Sequence, residues 1–136
     1  PVTAYYATLT SEYVSNGTSS VSFVDASGNP MPLSLTVQGW PTYLVLAQAS
    51  MANSDTGQAR DGYIRISADS GLVGTPSRTS LDKYSGGSYY YQSVSLSFLF
   101  QPMDTNSHTI ELMGVISNAG SNGLLANASL TIIAIP

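Results

Sequence analysis

The 136-residue sequence has no cysteine and very little charge. The absence of cysteine excludes a disulfide framework, thiol chemistry and a thiolate metal site. Only 9% of the residues are charged, compared with roughly 25% in typical soluble domains. Four Lys and Arg residues, within a net charge of −4, are too few to neutralise a phosphate backbone. We therefore expect no nucleic-acid partner.

Long apolar runs and a secretion signal are also missing. No apolar stretch approaches the roughly 18 residues that a membrane-spanning helix needs, so we expect no membrane insertion. The segment that begins Pro1, Val2, Thr3 lacks the basic and then apolar layout of a signal peptide, which predicts either a processed form or a chain not secreted by the usual route.

The sequence has a single histidine, His108. Any Ser-His-Asp or metal-histidine site would have to use it. Because it lies at a turn entering a predicted strand, we expect a hydrogen-bonding role instead. The candidate carboxylates Asp55, Asp61, Asp69 and Asp82 lie in or beside predicted loops, and their spacing selects no pair suited to glycoside hydrolysis. The sequence therefore predicts a protein that is not an enzyme and has no catalytic residue.

What the sequence does have is hydroxyl groups, in 22 serines and 12 threonines, and short alternating runs. Alternation of apolar and polar residues between clusters of Gly, Asn, Pro and Ser is typical of all-β proteins. The predicted strands cover residues 5–10, 21–25, 33–37, 43–47, 63–68, 94–100, 109–116 and 130–135. About eight strands predict an antiparallel two-sheet jelly-roll sandwich. We expect one domain, 1–136, in which residues 1–19 form an N-terminal strand or arm.

Two segments between the strands are predicted loops. Residues 51–61 are polar, whereas residues 69–92 are rich in Gly, Ser and Tyr and show no clear alternation. A structureless segment as long as the second is usually functional, mobile or held by a partner.

The second loop contains the best candidates for ligand contact. Tyrosine offers a rigid apolar face and a hydroxyl, which suits sugar or protein ligands, subunit interfaces and cores alike. All three roles stay open for the tyrosines, and loop carboxylates supply further candidate hydrogen-bonding groups. The candidate ligand-binding residues are Tyr84, Tyr89, Tyr90, Tyr91, Asp55 and Asp61.

A calcium site is a weaker alternative. Asp55, Asp61 and Asp69 flank one polar region, and carboxylate oxygens suit a hard cation. However, the acidic residues are not densely spaced, and Arg60 lies among them. We therefore predict no metal and no cofactor.

The run 130–135 is apolar on both faces of a predicted strand. Leu130, Ile132 and Ala134 can fill a core, whereas the opposite face also needs cover. A partner subunit is the simplest source of that cover. The candidate interface residues are Thr131, Ile133 and Ile135, together with the aromatic residues Tyr5 and Trp40.

Four segments in order resemble a known family. They are Gly39–Leu46 entering a buried strand, the run 93–98, the hairpin start 107–112 and the closing run 128–133. The sequence resembles the tumour-necrosis-factor-like, or complement-head-like, jelly roll of trimeric heads in phage fibres and bacterial collagen-like surface proteins. The resemblance covers residues 20–136. It implies a non-enzymatic homotrimer with the C-terminal strand near the threefold axis.

Three functions follow as hypotheses. The first is a structural or receptor-binding head of a virion, such as a fibre, spike or capsid-decoration protein, which would contact itself and other virion or cell-surface structural proteins. The second is a carbohydrate-binding lectin on the same scaffold, with a glycan as ligand. The third is a pilin or adhesive filament subunit in which Pro1–Thr10 pairs with a neighbour's sheet. All three predict a location on a virion or an extracellular surface.

Overall fold

Every regular element in the computed structural model, which describes residues 2–117 and 121–136, is a β-strand. No helix in these ranges is long and apolar enough to cross a membrane. The strands are β1 (Ala4–Val14), β2 (Asn16–Gly17), β3 (Leu33–Val37), β4 (Thr42–Ala52), β5 (Arg60–Ala68), β6 (Gly71–Leu81), β7 (Gln92–Phe100), β8 (His108–Ser117) and β9 (Gly123–Ile135).

The strands form two sheets that face each other. Sheet A has the order β1-β9-β4-β7 and is antiparallel throughout. Sheet B has the order β2-β8-β5-β6, with β3 also paired to β8. The predicted all-β, two-sheet jelly roll is therefore confirmed.

Alternation of side chains places the core between the sheets. Leu130 and Ile132 of β9 and Ile110 and Leu112 of β8 are completely or almost completely buried, and they belong to one hydrophobic cluster. The inward residues predicted for the last strand are confirmed. Hydrophobic burial in this single cluster holds the sheets together.

Strand β6 corrects the prediction for residues 69–92. The segment contains eleven residues of strand, Gly71–Leu81, which pair with β5 at the edge of sheet B. Most of β6 is exposed on both faces, so its sequence does not need the apolar alternation of a half-buried strand. An unpaired sheet edge tolerates such a polar, glycine-containing strand.

Other boundaries also differ from the prediction. Residues 21–25 form isolated bridges instead of a strand, with Val21 opposite Gly114 and Val24 opposite both Tyr13 and Pro30. Strand β4 continues to Ala52, so the predicted loop at 51–61 is shorter.

Strand β1 is a full member of sheet A. It pairs with β9 from Ala4 opposite Ile133 to Val14 opposite Gly123. Residues 4–10 therefore have a partner strand within their own chain, and we do not propose them as a donor strand for a neighbouring subunit.

Candidate functional site

The outward side of sheet A presents a surface without charge. Directly opposed residues of an antiparallel pair point to the same side of the sheet, so the register identifies this surface, which we call the neutral face. Its residues are Ala4, Tyr6, Thr8, Thr10, Thr42, Leu44, Leu46, Gln48, Ser50, Ser93, Ser95, Ser97, Leu99, Asn127, Ser129, Thr131, Ile133 and Ile135. None of them is an acidic or basic residue, although the face crosses four strands.

One end of the neutral face is apolar and the other is polar. Leu44 lies opposite both Ile133 and Leu99, and Leu46 lies opposite Thr131. The exposed fraction is 38% for Leu46, 47% for Leu99 and 66% for Tyr6. We call this end the apolar patch, formed by Tyr6, Leu44, Leu46, Leu99, Ile133 and Ile135. Apolar groups gathered in this way, instead of scattered singly, are typical of interaction surfaces.

The predicted interface residues divide into two groups. Thr131, Ile133 and Ile135 lie together on the neutral face and are half-buried. Tyr5 lies opposite the buried Ile132, on the inward side, and both Tyr5 and Trp40 pack against the core. The structure therefore does not bring Tyr5 and Trp40 to the same surface as the other three.

Four residues of the apolar patch were not predicted from the sequence as interface residues: Tyr6, Leu44, Leu46 and Leu99. The signal for two of them was present, because the run 43–47 is apolar on both faces of its strand. It suggested a strand buried on both sides, whereas the structure leaves Leu46 exposed in the single chain.

Tyrosines of the β6–β7 connection form a small cluster. The rings of Tyr84 and Tyr89 stack with their centroids 4.2 Å apart. Partial burial, with Tyr84 alongside, raises the pKa of the Tyr89 phenol. Tyr90 and Tyr91 stay 54% and 41% exposed. The stack uses one ring face of Tyr84 and one of Tyr89, so within this connection the most exposed rings are those of Tyr90 and Tyr91.

The first of the predicted ligand-binding carboxylates already has partners within the chain. Asp55 Oδ2 accepts hydrogen bonds from Arg60 Nε at 3.0 Å and Nη2 at 2.8 Å. The backbone N–H of Gly57, and then Arg60, hold the pKa of Asp55 below its ordinary value. The backbone carbonyl of Asp55 also accepts a 2.8 Å hydrogen bond from the N–H of Tyr84.

The remaining carboxylates of the predicted calcium region point elsewhere. Asp61 Oδ2 lies 3.3 Å from Nη1 of Arg78, and Asp69 contacts His108. Asp55, Asp61 and Asp69 therefore have three different partners. Among the described residues, no group of three or more His, Asp and Glu side chains is placed to hold a metal ion.

His108 lies between two carboxylates. Its Nδ1 is 2.6 Å from Oδ2 of Asp69, and its Nε2 is 2.7 Å from Oδ1 of Asp104. Both ring nitrogens donate at once only in the imidazolium. These two hydrogen bonds, that with Asp69 first, raise the pKa of His108.

The same contacts lower the pKa of Asp69 and of Asp104, with the hydrogen bond to His108 as the largest cause in each. The ring of His108 also packs edge-on against Phe100 of β7, with centroids 5.3 Å apart. A ring held in this way, with both nitrogens occupied, joins the two sheets at one end of the sandwich. It is poorly suited to act as a base, in agreement with the hydrogen-bonding role expected from the sequence.

Comparison with known proteins identifies the fold. No family model and no curated protein matches the sequence. Among solved structures, the globular domain of zebrafish complement 1qA protein aligns with 100% of this chain and 98% of its own, with a TM-score of 0.60 and 11% identity. The Eiger TNF of S. frugiperda aligns with 100% of this chain and 94% of its own, with a TM-score of 0.49 and 15% identity. CBM35 from Cellvibrio japonicus aligns with 98% of this chain and 99% of its own, with a TM-score of 0.44 and 14% identity. The resemblance to the complement-head-like jelly roll is therefore confirmed as a likeness of fold.

Proposed function

We propose that this complement-head-like jelly roll is a non-enzymatic binding module that assembles as a homotrimer through its neutral face. We further propose that the trimer is a structural or receptor-binding head on a virion. The single observation that supports assembly most strongly is the neutral face itself, a surface of four strands with no charge and one apolar end.

The energetics of covering this face favour a protein partner. Each Å² of apolar surface removed from water contributes about 25 cal/mol. No ionised side chain of the face has to lose its hydration, so the penalty that accompanies buried charge does not arise. Depletion of charge is the usual mark of the central part of a protein interface. The hydroxyl and amide groups of the polar end supply hydrogen bonds at its rim.

Copies of this chain are the partner that best fits the face. A neutral surface does not repel its own image, whereas a charged surface does. The family resemblance implies three copies with the last strand near the threefold axis. Strand β9 lies inside sheet A between β1 and β4, and its outward residues Ile133 and Ile135 belong to the apolar patch. This position supports the trimeric arrangement.

Sedimentation velocity of the intact chain tests the assembly. At micromolar concentration we expect one species of three times the 14.3 kDa chain mass. A stable monomer under these conditions would contradict the proposal.

The proposed virion location is supported by the hydroxyl-rich surface and by the family resemblance. Sequencing of the flanking genes tests it independently of oligomeric state. We expect genes for structural virion proteins, whereas secretion or chaperone–usher genes would argue against this location.

Carbohydrate binding is the second candidate function. It is favoured by the exposed rings of Tyr90 and Tyr91, since such rings can stack on a sugar. A glycan array with and without calcium tests it, with Tyr90→Ala and Tyr91→Ala as the variants. Binding at background level for the unmodified chain would exclude it.

A further inference from the structure

The outward side of sheet B contains a groove of about 340 Å³. Its floor is formed by Tyr63 and Arg65 of β5 and by Val115 and Ser117 of β8, and residues 17–20 form a wall. Pairing explains the shape, because Tyr63 lies opposite Val115 and the short strand β2 runs alongside the end of β8. The volume falls in the range of roughly 300–1,000 Å³ that is typical of small-ligand sites.

Arg65 is the charged group of this groove. It is half-buried, and its Nε donates a 3.1 Å hydrogen bond to the backbone oxygen of Gly74. Arg60 and Arg78 form ion pairs with carboxylates, but Arg65 has none within the described residues. The backbone contact orients the guanidinium, whose remaining N–H groups match the two oxygens of a carboxylate. Such an arrangement favours an anionic ligand.

The rest of the lining combines an aromatic ring and hydroxyl groups with the apolar side chains of Leu72, Pro76 and Val115. Tyr63 offers a ring face, while Thr18, Ser19, Ser20 and Ser117 can both donate and accept hydrogen bonds. Sugars need this combination, because each sugar ring has an apolar face and a rim of hydroxyl groups. A polyanion fits poorly, since the chain has a net charge of −4 and the groove offers one arginine.

We infer that the groove binds an acidic sugar of one or two units, with its carboxylate against Arg65 and a ring face against Tyr63. The inference gives the binding module a ligand class and a site that differ from the exposed tyrosines of the β6–β7 connection. The groove lies on the opposite side of the sandwich from the neutral face, so it stays accessible in the proposed trimer and does not depend on it.

Isothermal titration of the intact chain with sialyllactose and with a glucuronate disaccharide tests the site, with lactose as the neutral control. We expect saturable binding of at least one acidic sugar and at least tenfold weaker binding of lactose. Arg65→Gln removes a charge-assisted hydrogen bond worth roughly 1.5–3 kcal/mol, which corresponds to at least tenfold weaker binding. Arg65→Lys keeps the charge without the fork of donors and should lose less.

Matched variants separate the groove from other surfaces. Lys83→Gln makes the same change in charge in the β6–β7 connection, and Tyr90→Ala removes an exposed ring. Lys83→Gln should bind acidic sugar as the unmodified chain does, whereas loss of binding in Tyr90→Ala with binding kept in Arg65→Gln would place the sugar on the β6–β7 connection. Circular dichroism of each variant checks the fold, and Tyr63→Ser provides a second test if Arg65→Gln does not fold.

Several results would overturn the inference. Equal affinity for lactose and the acidic sugars would show that the carboxylate is not recognised, and tighter binding of a sulfated lactose would show that a carboxylate is not the preferred anion. Loss of binding in Tyr90→Ala but not in Arg65→Gln, or no saturable binding at millimolar concentration, would contradict a site in the groove. Sedimentation of the same samples reports the trimer separately, so failure of the sugar site and failure of assembly are distinguishable.

Discussion

The two sheets have similar side-chain chemistry on the sides that face inward and contrasting charge on the sides that face outward. Inward, both carry aliphatic residues that are almost fully buried. Outward, sheet A has no acidic or basic residue on its neutral face, whereas sheet B carries Asp61, Arg65, Arg78 and Glu111. The shared core constrains the inner faces to one chemistry, and the outer faces are free to differ. This difference separates the proposed assembly surface from the proposed ligand groove.

The largest expected effect tests the likeness of the inner faces. Ile132→Ala in sheet A and Leu112→Ala in sheet B each remove a completely buried side chain and should each lower the free energy of unfolding by about 2–5 kcal/mol. Urea denaturation at matched protein concentration measures both values. A large loss in one sheet and almost none in the other would show that the two sheets do not share one core.

The next effect tests the difference between the outer faces. Leu46→Glu adds a charge to the apolar patch and should weaken self-association at least a hundredfold, because like charges in an interface cost several kcal/mol. Leu72→Glu is the matched control on sheet B, since Leu46 and Leu72 are 38% and 39% exposed. Sedimentation of both variants measures the effect. A trimer that persists in Leu46→Glu but is lost in Leu72→Glu would place the interface on sheet B and contradict the proposed role of the neutral face.

A smaller effect concerns the place where the sheets are joined. The raised pKa of His108 means that its charged form stabilises the fold below the ordinary histidine value of 6.5, and that this contribution is lost as the pH rises through the raised value. The lowered pKa of Asp69 and Asp104 gives a contribution present above 3.8 and lost as the pH falls. The cluster should therefore stabilise the fold most between these two ordinary values.

His108→Gln is the test, because glutamine keeps hydrogen-bonding capacity but does not titrate. Thermal unfolding at about pH 5.5 and about pH 9 should show a larger difference for the unmodified chain than for the variant. Identical pH profiles would contradict the assignment.

The smallest effect is expected for a charge pair on the outward side of sheet B. The side chains of Arg78 and Asp61 are 56% and 34% exposed, so Arg78→Gln should change the free energy of unfolding by less than about 1 kcal/mol. A larger loss in urea denaturation would mean that charge on sheet B contributes to stability as well as to the proposed ligand binding.

Much of the fold was predictable because alternation reports burial on one face. The strands corresponding to β5, β7, β8 and β9 were found in this way, and all four have a buried side. Strand β6 was missed because an edge strand exposed on both faces carries no such pattern. Residues 21–25 were predicted as a strand because apolar and polar side chains alternate there. The alternation reflects burial of Phe23 in the core, but the segment forms only isolated bridges.

The candidate sites were less predictable, because they depend on pairing between distant segments. Alternation within the last strand identified Ile133 and Ile135, but only the register places Leu99 opposite Leu44 and Leu44 opposite Ile133. A shift of one residue in either pairing would send these side chains to the other face. The same dependence on pairing explains why the sequence did not predict the groove: Tyr63 and residues 17–20 come together only because β2 and β5 both pair with β8.

The position of β9 also governs how the molecule folds. Strands β1 and β4 do not pair with each other; both pair with β9, which follows every other strand in chain order. Sheet A is therefore completed only by pairing between residues as distant in sequence as Ala4 and Ile133. Such non-local contacts slow folding. Until β9 inserts, β1 and β4 have open edges that favour aggregation. The insertion of β9 completes sheet A and also brings Ile133 and Ile135 into the neutral face. The rate of this insertion would therefore set when a newly made chain becomes competent for the proposed assembly.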